Sequence, residues 1–228
     1  MSNKSKVILK TINNEHFGHM LTKHEENGGN AMDRSLSKLF TVMNDESNLD
    51  EVKIKVAALN TLYSTAIQNI QPVAKKITDV CSKTSVYESE KMYVDLIDKI
   101  ARVEWSNKNN TEKYIRHNLS FASKYVHFLS KYQTPIYDSY IWIVMVGYLL
   151  QSNNEKVYAF NPPSTYAEFY KIFNDFKTTY GLHNRTNYDI DKFLWQYGKL
   201  LIDQIQVLNN NNPSLEQRKT SLKKQLLK

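Results

Sequence analysis

The residues of this chain best suited to chemistry lie between Tyr114 and Trp142, in the run YIRHNLSFASKYVHFLSKYQTPIYDSYIW. Near its end stands Asp138. Thr134-Pro135 breaks the chain just before it, because the residue preceding a proline is pushed out of the α region. An apolar stretch from Tyr140 to Leu150 follows it. Asp138 therefore falls where the N-cap of a buried helix would fall, which is worth about 1 kcal/mol to that helix. A carboxylate so placed can also serve as a preorganised anion or as a base toward water. Both roles can hold at once. Other chemistries find less support. His16, His19 and His24 lack a visible fourth ligand and a fixed backbone, so no metal site is expected. The single cysteine, Cys81, excludes a disulfide framework or a cysteine-based zinc site. With six glycines and no G-x-G-x-x-G or Walker-type run, a phosphate loop is not expected either.

The elements that must position Asp138 read as helices. Val52, Val56, Leu59, Leu62, Ala66 and Ile70 recur at three- and four-residue intervals and stop at Pro72. Val94, Ile97, Ile100 and Val103 mark a second helix. Residues 112–131 mark a third, with a short break at His117-Asn118-Leu119. Residues 139–151 are apolar nearly all round and predict a buried helix. After Asn161-Pro162-Pro163-Ser164, an aromatic face runs from Tyr166 to Tyr180, and Asp189 opens a last helix reaching Ile205. No period-2 strand and no internal repeat stands out. The expected class is all-α. The expected organisation is a polar, loosely ordered segment over 1–34, a helical domain over 35–208, and an Asn-rich linker with a basic tail over 209–228.

The Ser120–Ser139 segment resembles the helix-hairpin-helix DNA glycosylase superfamily, in which a hairpin precedes a helix with a small central residue. A Pro-hydrophobic-x-Asp segment then delivers the catalytic aspartate. Ala122 matches the small residue and Pro135-Ile136-Tyr137-Asp138 the aspartate segment. More narrowly, S-F-A-S-K-Y-x-H-F with P-I-Y-D-S, and D-K-F-L-W-Q-Y-G later, is similar to a small bacterial group of 8-oxoguanine-glycosylase-fold proteins. Related enzymes act against phages by removing glucosylated cytosines. The resemblance implies that Asp138 stabilises the oxocarbenium-like sugar formed as an N-glycosidic bond breaks. Two departures shape the expectation. Ser120 stands where bifunctional members carry a Schiff-base lysine, with Lys124 one turn later, so a monofunctional enzyme without lyase activity is expected. The hairpin also lacks its glycines, having Arg116 and Asn118 in their places.

A glycosylase must flip its base into a pocket. Candidates for that pocket are Asn60, Tyr63, Ser64, Tyr137, Trp142, Trp195 and Gln196. Asn60 leads them, because it interrupts an apolar face and needs a partner there. Candidates for the DNA backbone are Arg116, Asn118, Ser120, Lys124 and Ser139. Thirty basic residues against 23 acidic ones give a formal charge of +7, which suits either a polyanion partner or a solubilising surface. The longest apolar stretch is too short for a bilayer span and no signal peptide opens the chain, so a soluble, cytoplasmic, monomeric protein is expected. The leading expectation is a cofactor-free DNA glycosylase acting on a modified base, with a glucosylated hydroxymethylcytosine of phage DNA preferred. The alternatives are a repair glycosylase for oxidised or alkylated bases, a non-catalytic helix-hairpin-helix DNA-binding module, and a helical interaction protein.

Overall fold

The structure, a computed structural model, describes residues 7–82, 89–106, 112–152, 158–208 and 212–227. Among them stand ten α-helices and one two-stranded antiparallel ribbon. The chain divides into two compact units. The first takes Met1–Asn27, Asp138–Pro163 and Lys171–Lys228; the second takes Gly28–Tyr137 and Ser164–Tyr170.

The first unit is organised around α7, Ser139–Gln151. Nine consecutive residues of this helix, Ile141 to Leu149, are buried, as its unbroken apolar sequence requires. Around it lie α1 (Asn14–Glu26), the later turns of α8 (Tyr166–Thr179), α9 (Asn187–Leu208) and α10 (Leu215–Leu226). Crossing α7, α9 offers Gly198, where a Cβ would stand 3.0 Å from both Tyr140 Cβ and Tyr140 O. A Cβ there would press on the α7 backbone and push the crossing apart by a few tenths of an ångström. Phe17 of α1 stacks on Phe193 of α9 with centroids 4.8 Å apart.

Both chain ends depart from expectation. Within the segment predicted to be loosely ordered, Asn13 caps α1 through the His16 N–H, and Phe17 and Met20 are buried. Ahead of it, Leu9 N donates to Gln151 Oε1 at 3.0 Å and Gln151 Nε2 to Val7 O at 2.8 Å. Tyr148 OH donates to Lys10 O at 2.8 Å, while Lys10 N donates to Tyr197 OH at 3.0 Å. Long-range side chains order this stretch, and no local pattern announces them. The basic tail is likewise a helix. A capping box at Ser214 and Gln217 starts α10, and Leu222 and Leu226 bury its inner face. Leu226 fills the space over Gly147, 2.9 Å from where a Cβ there would stand.

The second unit holds α2 (Gly29–Val42), α3 (Leu49–Tyr63), α4 (Ile70–Cys81), α5 (Glu90–Ala101), α6 (Leu119–Leu129) and the first turn of α8. Strands β1 (Arg102–Ser106) and β2 (Lys113–His117) complete it. Its core joins Leu36, Val52, Leu59, Ile77, Ile97 and Ala122. Within it lies a buried ion pair. The fully buried Lys55 donates to Met43 O at 3.0 Å and to the Glu46 carboxylate, which also accepts from Tyr125 OH.

Two expectations fail in this unit. The helix predicted to run through Ile70 to Pro72 ends at Tyr63, where Ser64 turns left-handed at φ 48°. Pro72 instead sits in the first turn of α4, where its missing N–H costs nothing. The second failure is larger. Residues 113–117 form a strand, so no helix precedes the break at Asn118 and the expected two-helix hairpin does not form there. β-Branched and aromatic residues alternate too briefly in this stretch to show a strand pattern.

Two predictions follow from this packing. Truncating the α10 anchor, Leu222→Ala, should cost about 2–5 kcal/mol, read as a lower urea midpoint; an idle tail would give no change. His16 is buried against Phe193 and Tyr197, with Nδ1 donating to Thr11 O at 3.3 Å. Burial holds its imidazole below the ordinary value of 6.5. The unfolded chain therefore takes up a proton that the folded chain refuses. Stability present at neutral pH should be lost as pH falls below about 6.5. Urea midpoints at neutral and mildly acid pH should diverge less in His16→Gln than in the wild type.

Candidate functional site

Asp138 is the N-cap of α7, extended at φ −143° and ψ 151°, and its Oδ1 accepts the Tyr140 N–H at 2.9 Å. The segment leading to it is clamped within the second unit. Tyr137 N donates to Ser123 Oγ at 3.0 Å, Tyr166 OH donates to Pro135 O at 2.5 Å, and His127 Nδ1 donates to Thr134 O at 2.6 Å. Tyr137 itself packs edge-on against Phe169. Ala122, fully buried on α6, supplies the small position that the sequence suggested.

Beside Asp138, the first unit builds an aromatic pair with cations on its faces. Tyr140 and Trp195 are half-buried, with ring centroids 6.1 Å apart at 64°. Lys219 Nζ lies 5.4 Å from the Tyr140 centroid and Lys199 Nζ lies 5.5 Å from that of Trp195. Burial raises the Tyr140 hydroxyl above its ordinary value, and the Asp138 and Asp203 carboxylates add to this. Arg218 pairs with Asp203 at 3.5 Å. Lys199 also lines a groove of about 440 Å³, with Lys23, Glu26, Asn27, Gln196 and Asp203 on its walls. Buried Gln196 accepts from Asn27 Nδ2 at 3.4 Å. Sequence reading missed Tyr140, Lys199 and Lys219. Tyr140 was within reach, two residues beyond Asp138, but Lys219 comes from the stretch read as a basic tail outside the helical domain.

Other expected site residues have structural work. Trp142 is core, 3% exposed, its Nε1 donating to Phe160 O at 3.4 Å. Asn60 finds its partners within the chain: its amide donates to Ile67 O at 3.0 Å and accepts from Ile67 N at 2.8 Å and Thr65 Oγ1 at 3.0 Å. It fixes a loop in which Ser64 and Ala66 both have positive φ. Asn118 caps α6, accepting from Phe121 N at 2.9 Å, and donates to Thr65 O at 3.1 Å in the same loop. Tyr63 OH donates to buried Asp33 at 2.5 Å. Lys124 is no surface contact. It is buried, 5.4 Å from the Tyr63 ring centroid, and its Nζ donates to Ser120 Oγ at 2.9 Å. Arg116 lines a cavity of about 20 Å³ with Trp105 and Asn118. Ser64 is exposed at the end of α3, and Ser139 is half-buried at the start of α7.

The expected site residues thus gather in two groups. The first unit brings Asp138, Trp195 and Gln196 onto one neighbourhood through Tyr140 and Lys199. The second joins Tyr63, Ser120 and Lys124 in one polar cluster, and Asn60 with Asn118 in another. Among the described residues no group of three histidine, cysteine, aspartate or glutamate side chains stands ready to hold a metal ion. Among the described residues no helix is long and apolar enough to cross a membrane.

Comparison with known proteins places the chain among relatives. It is 28% identical over 156 residues to an uncharacterised protein of Haemophilus influenzae, covering 68% of this chain and 70% of that one. No solved structure matches it. Residues 12–133, from just ahead of α1 to just beyond α6, match the family HI_0787_N, described as an N-terminal domain, and the chain belongs to that family.

Proposed function

We propose that this protein is a monofunctional DNA glycosylase that excises a modified base, with Asp138 as its catalytic carboxylate. The observation that carries the reading is Asp138 capping a buried helix beside the lysine-flanked Tyr140–Trp195 pair. When the C1′–N bond breaks, the base leaves with the bonding electrons and positive charge grows on the deoxyribose. A carboxylate fixed by the Tyr140 N–H stabilises that charge without reorganising. Water then adds its hydroxyl to C1′, and its proton balances the departing base. The half-exposed aromatic rings offer a stacking surface, and the ammonium groups suit phosphate. Ser120 lacks the amine that a lyase step requires.

The groove that Lys199 lines with Gln196 and Asp203 is the part of this reading that supports a bulky, hydroxyl-bearing base. An oxidised or alkylated purine needs few polar partners, whereas a hexosylated cytosine needs both volume and many hydrogen bonds. The roughly 440 Å³ groove, lined by amides, carboxylates and ammonium groups, supports the second over the first. Excision from such DNA would leave abasic sites that stall replication, which is the outcome expected of defence against phages with hypermodified genomes. Host DNA lacking the modification would be spared.

The test is release of free base, followed by mass spectrometry, from DNAs carrying normal, oxidised, alkylated, hydroxymethylated and glucosylated bases. Release from one modified DNA is expected, falling by at least about 100-fold in Asp138→Asn. Asparagine caps a helix as well as aspartate does, so that variant should keep its thermal midpoint. No release from any substrate, with DNA binding intact, would instead assign a non-catalytic binding module. Borohydride added to the reaction should trap no protein–DNA adduct. An adduct lost in Lys124→Gln would contradict the monofunctional assignment.

A further inference from the structure

Breaking an N-glycosidic bond makes two charges, and the role given to Asp138 answers one of them. The sugar becomes cationic, while the base leaves with the bonding electrons. A preorganised hydrogen-bond donor at the base lowers the same barrier from the other side. Tyr140 carries such a donor beside Asp138. Its backbone N–H holds the Asp138 carboxylate at 2.9 Å, so the two residues share the first turn of α7. Three contacts fix its ring. Trp195 meets it at 6.1 Å and 64°, Lys219 Nζ lies 5.4 Å from its centroid, and α9 crosses close by at Gly198.

The hydroxyl of Tyr140 stands apart from the other tyrosine hydroxyls packed around α7. Tyr148 OH donates to Lys10 O at 2.8 Å, Tyr180 OH donates to Tyr148 O at 2.7 Å, and Tyr197 OH accepts from Lys10 N at 3.0 Å. Among the described residues no group bonds the half-buried Tyr140 OH. The charges acting on it are Asp138 on α7, Asp203 on α9, and Arg218 and Glu216 on α10. Burial and the carboxylates outweigh the Arg218 guanidinium and hold the phenol above its ordinary value of 10.0, so it keeps its proton through the neutral range. We propose that Tyr140 is a second catalytic residue of this site, its hydroxyl donating a hydrogen bond to the leaving base while Asp138 stabilises the sugar. The proposal rests on the glycosylase reading and adds the group that receives the departing charge. In a cytosine that charge collects on N1 and on the adjoining O2 carbonyl, and O2 is the acceptor. No proton changes hands in this contact. The C1′–N bond breaks with its electrons on the base, and the attacking water supplies the proton that neutralises it.

The test compares Tyr140→Phe with the wild type, both as the full chain, on a duplex carrying glucosylated hydroxymethylcytosine. Base release is measured in single turnovers at saturating protein, and Kd by anisotropy. Phenylalanine keeps the ring, and with it the Trp195 and Lys219 contacts. The single-turnover rate should fall at least about 10-fold, as when one preorganised donor is lost, with Kd and thermal midpoint unchanged. Tyr180→Phe removes a hydroxyl that bonds the backbone and should do the reverse, lowering the midpoint and keeping the rate. Release by Tyr140→Phe at the wild-type rate, a defect confined to Kd, or an equal rate loss in Tyr180→Phe would overturn the proposal and leave the glycosylase reading standing. No wild-type release from this duplex would also overturn it; release of another modified base would still keep the glycosylase reading, and release of none would remove both.

Discussion

A helix buried on every face can be polar only at its ends, and the first unit follows from that constraint on α7. Its flanks are packed into the core, with the Trp142 indole N–H already bonded to Phe160 O, so what α7 offers a ligand must come from its termini. At the C-terminal end, Gln151 and Tyr148 stitch down residues 7–10 of the chain. At the N-terminal end, the first free amides need an acceptor, and Asp138 supplies one. Gly198 lets α9 approach so closely that Tyr140 is held against it, and Trp195 is carried on the same helix. The neighbourhood of Asp138 is thus a consequence of burying α7. A side chain on either helix that forced the crossing apart would loosen it.

Much of this was legible in sequence, for reasons that residues make plain. The eleven apolar residues from Tyr140 to Leu150, preceded by Pro135 and Asp138, encode α7 and its cap locally. The periodic faces of α8 and α9 are equally local. What escaped was settled by distant partners. Leu9 and Lys10 are ordered by side chains more than 130 residues away, at separations of 142 and 138. The lysines and arginine of α10 dominate its composition, while only Leu222 and Leu226 bury it. The ribbon was missed because five-residue strands with one seated face carry too few alternations to outweigh a helical neighbourhood.

The candidate site shows a further limit. A polar residue interrupting an apolar helix face needs a hydrogen-bond partner, and sequence cannot say whether that partner is a ligand or the chain itself. Asn60 illustrates the second outcome. Its amide satisfies the backbone of Ile67 in both directions and lets two non-glycine residues, Ser64 and Ala66, hold left-handed conformations. Lys124 illustrates it again, since its amine turns back one helical turn to Ser120. Residue type and spacing located polar groups correctly and could not assign them.

Asp138 carries the same ambiguity at the end of a helix. A helix cap alone places no demand for a charge, because serine and asparagine serve as well. The cap interaction also occupies the carboxylate through a backbone N–H, leaving its rotamer fixed by α7 rather than by solvent. Fixing a carboxylate in this way is what electrostatic catalysis at a developing cation asks of it, since a mobile anion would spend the stabilisation on its own reordering. Capping and catalysis therefore need the same geometry, and the helix buried behind Asp138 supplies the rigidity that both require. A structural role for Asp138 is accordingly no argument against a chemical one; the first is the condition under which the second works.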